Sequence, residues 1–137
     1  MTGVNWIGVI VATIVTYLIG WVWYDMAFGQ AWMDAMGLTK EEIAAMGNGP
    51  MMYGFLVNLL TCVGLGLIVP KFGNDLMGGV KAGLVAGLLF ACTTAAMGFI
   101  YGGKPNSLIP IDLGYLVVMY VVGGAIIGAL KFGKKAV

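Results

Sequence analysis

The sequence predicts an all-α membrane protein, a four-transmembrane-helix bundle with a short interfacial helical segment between helices 1 and 2. Three observations predict it. The chain is 61% hydrophobic and only 9% charged, whereas a soluble domain is roughly half apolar and about a quarter charged. Its mean hydropathy is +0.97. Four windows carry no charged side chain: Val4–Tyr24, Met51–Pro70, Ala82–Tyr101 and Leu113–Leu130. A spanning helix needs about 20 apolar residues. Only helices and closed barrels satisfy the backbone in lipid, and these runs are too continuous for alternating barrel strands. The expected layout is a single integral membrane domain, residues 1–137, with spans near 4–24, 51–70, 80–101 and 112–131.

The first window reads as a retained span. It lacks the basic start and the small-x-small cleavage site of a signal peptide; Trp21, Trp23 and Tyr24 stand where that site would be. Trp21, Trp23 and Trp32 are expected as interfacial anchors, because aromatic residues gather at headgroup level. The outer segment 26–47 predicts two short helices. Phe28, Trp32 and Met36 recur on one helical face, and Gly37 is a natural stop. "LTKEE" then offers a capping box, Thr39 with Glu42 three residues on. "GNGP" breaks the chain ahead of span two. "KFGNDLMGG" (71–79) predicts a glycine-broken turn, and "GGKPNSLIP" (102–110) a longer loop.

Lysines predict orientation. Four spans put both termini and the 71–79 turn on one side, with Lys71, Lys81, Lys131, Lys134 and Lys135; the other side holds Lys40 and Lys104. The bias places the N- and C-termini in the cytoplasm.

Small residues recur every fourth position. Gly79, Gly83 and Gly87 form such a series in span three, and Gly124 and Gly128 in span four. Helices associate in lipid through close van der Waals contact, which small residues permit. These glycines are expected to pack helices, either within one bundle or, for Gly79–Gly83–Gly87, against a second copy.

Polar residues are few in the spans and collect toward the outer side. Thr16, Tyr24, Asp25, Asn58, Thr93, Thr94, Asp112 and Tyr115 make a candidate outward-facing polar pocket. The other expectation for the Thr and Asn members is plain hydrogen bonding between helices. No ionisable residue lies deep in a span, which argues against proton-coupled transport.

Catalysis has little to work with. The chain has no histidine, no GxSxG and no HExxH, so it is not expected to be an enzyme. No metal site and no cofactor are expected. Cys62 and Cys92 fall inside apolar runs and read as small buried side chains. Methionines crowd the outer segment, and although thioethers suit Cu(I), flexible apolar packing is their ordinary role. A net charge of +1 gives no reason to expect nucleic acid. The partners expected are the lipid bilayer and further copies or a larger membrane complex.

The stretch 5–43 resembles a signature of small bacterial four-span membrane proteins of unknown function. Its marks are Asn5–Trp6, Gly20, Trp23–Tyr24, Phe28–Gly29, Trp32 and Met36–Gly37–Leu38. The last span, opening on Gly114–Tyr115, is similar to that family's last helix. The resemblance implies a four-span protein of the bacterial cytoplasmic membrane and no particular activity. Asp25 departs from the pattern, which has a small or polar residue there. The function expected first is an accessory or structural subunit acting through helix–helix contacts and self-association. The alternative is a small-solute channel or facilitator using the outer pocket.

Overall fold

The computed structural model describes residues 3–130. Among them there is no strand. Four helices are long and apolar enough to cross a membrane: α1 (Trp6–Ala27), α4 (Gly49–Phe72), α5 (Leu76–Ile100) and α6 (Asn106–Ala129). Two short helices, α2 (Gly29–Met36) and α3 (Lys40–Ala45), join the first two. The chain is therefore an all-helical membrane protein. α1 packs on α4 and α6, and α5 packs on α4 and α6, so the long helices close a four-membered ring. Isoleucines at 7, 10 and 14, with Leu18, give α1 an exposed apolar stripe. In water that stripe would be a liability; in lipid it is the natural outer face.

One asparagine ties the ring together at the end where α1 starts and α6 stops. Asn5 caps α1, its Oδ1 accepting from the Gly8 N–H at 3.1 Å. Its Nδ2 donates to the carbonyls of Ile127 at 3.0 Å and Leu130 at 2.8 Å. A single buried side chain thus serves the start of the first span and the end of the last, where backbone groups lack helical partners.

The glycine stripe of span three lies inside the chain. The α5 and α6 backbones touch: a Cβ on Gly79 would run into the Gly124 carbonyl, on Gly83 into that of Tyr120, and on Gly128 into that of Asp75. Gly87 sits against the Tyr120 side chain. The expectation that Gly79–Gly83–Gly87 faces a second copy is thereby corrected, because α6 already covers it.

The expected boundaries shift at three places. α1 continues through Asp25 to Ala27 because its last turn, Val22–Ala27, is a π-helix. α5 starts at Leu76, with Asp75 Oδ1 accepting from the Gly78 N–H at 2.7 Å, so the turn after α4 shrinks to a few residues. α6 starts with a 3-10 turn at Asn106, and Pro110 fits its first α-helical turn, where a missing N–H costs nothing. Lys131, Lys134 and Lys135, on which the orientation partly depends, lie outside the described residues.

In the outer segment, Gly37 is left-handed at φ 70° and stops α2. The Thr39–Glu42 capping box opens α3, with bonds of 2.8 and 3.2 Å. Phe28 is not on the α2 face predicted for it; it precedes the helix at φ −122°.

Candidate functional site

The site starts from the π turn at the end of α1. The Phe28 N–H reaches back five residues to the Trp23 carbonyl at 2.8 Å. In an ordinary α-helix residues five apart point about 140° away from each other. The widened turn brings the Trp23 and Phe28 rings to 5.0 Å between centroids. It also turns both Trp23 and Tyr24 toward α6. The Trp23 indole N–H donates to the Ile111 carbonyl at 3.0 Å, and the Tyr24 hydroxyl donates to Asp112 Oδ1 at 2.7 Å.

Two glycines make the contact of α1 with α6 reciprocal. A Cβ on Gly20 would meet the Tyr115 hydroxyl at 2.8 Å, and one on Gly114 would meet the Trp23 ring at 3.3 Å. Each helix offers a gap where the other offers a ring. Tyr115 then lies 5.2 Å from Tyr24, edge to face, and 6.2 Å from Trp23. Trp23 is consequently an inward-facing part of this cluster, which corrects its expected role as a headgroup anchor. Trp32 of α2 also turns inward, 6.5 Å from Tyr24. Trp21 alone of the three keeps an outward face, at 52% exposure.

Asp112 is 8% exposed, and a carboxylate so buried is costly unless paired and hydrogen-bonded. Both of its oxygens are engaged. Oδ1 accepts from Tyr24, and Oδ2 pairs with Lys104 Nζ at 2.9 Å. Lys104 arrives from the loop before α6, where Gly103 takes φ 72°, and its ammonium also lies 5.2 Å from the centre of the Phe99 ring.

These groups wall a cavity of about 1050 Å³. Trp32 and Met33 of α2 and Ile43 of α3 bound it on one side; Tyr24, Tyr115 and the Lys104–Asp112 pair bound it on another. Ala95 of α5 and Leu116 of α6 line its apolar part, and Asp25 and Lys40 stand on its lining as further charges.

Of the eight residues proposed for one pocket, Tyr24, Asp25, Asp112 and Tyr115 line this cavity. The others lie elsewhere. Thr16 and Asn58 are buried between α1 and α4, where Asn58 Nδ2 donates to the Thr13 carbonyl and to Thr16 Oγ1, both at 2.9 Å. Thr16 in turn donates to the Ala12 carbonyl at 2.6 Å. Their polarity is satisfied within the packing, so neither reaches the cavity. Thr93 and Thr94 are exposed, and the Thr93 hydroxyl bonds back to Leu89 and Phe90 of its own helix. A second π turn, Gly87–Ala91, rotates the residues after it by about one position, or 100°, and it is Ala95 that lines the cavity. Lys104 and Lys40 were not among the candidates. Lys104 could have been found as the nearest cation before Asp112 on the same side; Ala95 and Leu116 carried no signal.

No curated protein matches this chain, and no solved structure does. A family model matches residues 7–128, from α1 through almost all of α6, so the chain belongs to the family described as protein of unknown function (DUF1761).

Proposed function

We propose that this protein is a non-enzymatic binding protein of the membrane interface, and that the cavity beside Tyr24 and Asp112 is its ligand site for a small amphipathic molecule. The observation that carries the reading is the cavity itself. Its volume, about 1050 Å³, is at the upper end of that of ligand pockets, roughly 300–1,000 Å³. Its lining joins charged groups to apolar side chains such as Ala95 and Leu116 of two spanning helices. The buried carboxylate of Asp112 is matched to a phenol and an ammonium, which suits a wall better than a reacting group. Thr16 and Cys62 touch at 3.8 Å, and a Cβ on Gly123 would meet both of them and Leu65, so the packing there favours a site closed at its base over a channel.

Five lysines against two support cytoplasmic termini and an outward-facing cavity in a bacterial cytoplasmic membrane. Association with a second copy or a larger complex would have to use a surface other than the covered glycine stripe.

The reading is tested by extraction in mild detergent followed by native mass spectrometry. Wild-type protein is expected to carry a bound small molecule that Ala95→Trp, which fills the cavity, loses. A bare wild-type protein, or an adduct equally retained by the variant, would overturn it.

A further inference from the structure

We infer that the cavity takes the headgroup of a zwitterionic phospholipid, its ammonium against Asp25 and the aromatic wall, its phosphate at Lys40. This rests on the reading of the cavity as a ligand site. Four charged residues line it: Asp25, Lys40, Lys104 and Asp112. Lys104 and Asp112 neutralise each other at 2.9 Å. Asp25 and Lys40 are exposed and, among the described residues, neither has an ion-pair partner. A ligand of one sign would leave one of these two beside a like charge. A ligand carrying both signs meets both.

The aromatic wall favours an ammonium on the acidic side. Tyr24 stands nearly perpendicular to Trp32, at 81°, and to Tyr115, at 69°, and all three line the cavity. Ring faces attract organic cations, most strongly where water is excluded. Asp25 and Tyr24 both line the cavity, so it holds a carboxylate as well as the ring.

Size and position point to a lipid rather than a free zwitterion. About 1050 Å³ is more than a molecule of amino-acid size fills. Ala95 and Leu116, also on the cavity lining, offer an apolar surface for the glycerol and the upper acyl chain. The cavity also sits at the ends of the spans, the depth at which headgroups and Trp side chains meet, and exposed Trp21 is close by in sequence.

The test uses the whole protein in nanodiscs made from an equimolar mixture of phosphatidylethanolamine and phosphatidylglycerol. Lipid retained after transfer to detergent is identified by native mass spectrometry. Retention of phosphatidylethanolamine over phosphatidylglycerol by about tenfold is expected. Asp25→Asn, at an exposed position, is expected to cut that preference by about threefold or more, and Lys40→Gln, also exposed, to lower retention of both lipids, since both carry the phosphate. Ala95→Trp, with Leu116→Trp as a second blocking variant, should abolish retention. If both lipids are held equally and the blocking variants still release them, the headgroup assignment falls and the ligand site stands. If preference survives Asp25→Asn, or retention of both lipids survives Lys40→Gln, the role given to that residue is wrong. If no lipid is held, or the blocking variants hold it as well as wild type, the site and the headgroup assignment fall together.

Discussion

At the scale of single residues, buried polar side chains are few among the described residues, and three of them join helices. Asn5 serves two helix ends, Asn58 links α4 to two residues of α1, and Asp112 gathers Tyr24 and Lys104. Asp112 makes the sharpest prediction. Lys104→Met leaves a nearly buried carboxylate with only a phenol for company, and such an unpaired group costs about 1–3 kcal/mol. Lys104→Met combined with Asp112→Asn removes the charge that needs compensation. The single variant is therefore expected to be less stable in an SDS titration than the double variant. Equal stability of the two would show that the pair matters little. This cluster was half legible in the sequence. Tyr24, Asp112 and Tyr115 stood out as polar residues near the span ends, but Lys104 looked like one of two loop lysines. The tie between them depends on how far the loop folds back, and residue types alone do not encode that distance.

At the scale of elements, local rules and packing rules divided the work. The Thr39–Glu42 box and the Gly37 stop were legible because capping depends on side chains a few residues apart. The two π turns were not, because a five-residue hydrogen bond has no residue-type signature. That is why Phe28 left its predicted face. The glycine spacing announced close packing but not its partner. Gly83 and Gly54 make a clear comparison. A Cβ on Gly83 would overlap the Tyr120 carbonyl, whereas one on Gly54 would meet nothing within 4 Å. Gly83→Ala must push α5 off α6 and is expected to cost about 1–3 kcal/mol, as overpacking does. Gly54→Ala is expected to be neutral or to gain up to about 1 kcal/mol from helix propensity. Unfolding both variants in the same detergent series checks the contrast. A silent Gly83→Ala would mean that the α5–α6 contact is looser than these backbones show.

At the scale of the whole molecule, hydropathy made the four spans legible, because a membrane accepts so few backbone structures. The cavity was legible only in its polar members Tyr24, Asp25, Asp112 and Tyr115; the rest was not, because its walls come from five helices and its apolar lining is chemically ordinary. Orientation decides which leaflet that cavity serves. The lysines of the terminal side outnumber those of the cavity side by five to two, so the cavity is expected to open outward, and the proposed ligand would then come from the outer leaflet. Ser107 lies exposed in the 3-10 turn that opens α6, on the cavity side. With Cys62 and Cys92 replaced by alanine, Ser107→Cys is expected to react with a membrane-impermeant maleimide in intact cells. A cysteine appended after Val137 should react only after permeabilisation. The opposite pattern would reverse the bundle, and the ligand would then have to come from the cytoplasmic leaflet. Either result fixes which lipid pool belongs in the binding experiments, since the proposed site, if at headgroup depth, can sample only the leaflet it opens into.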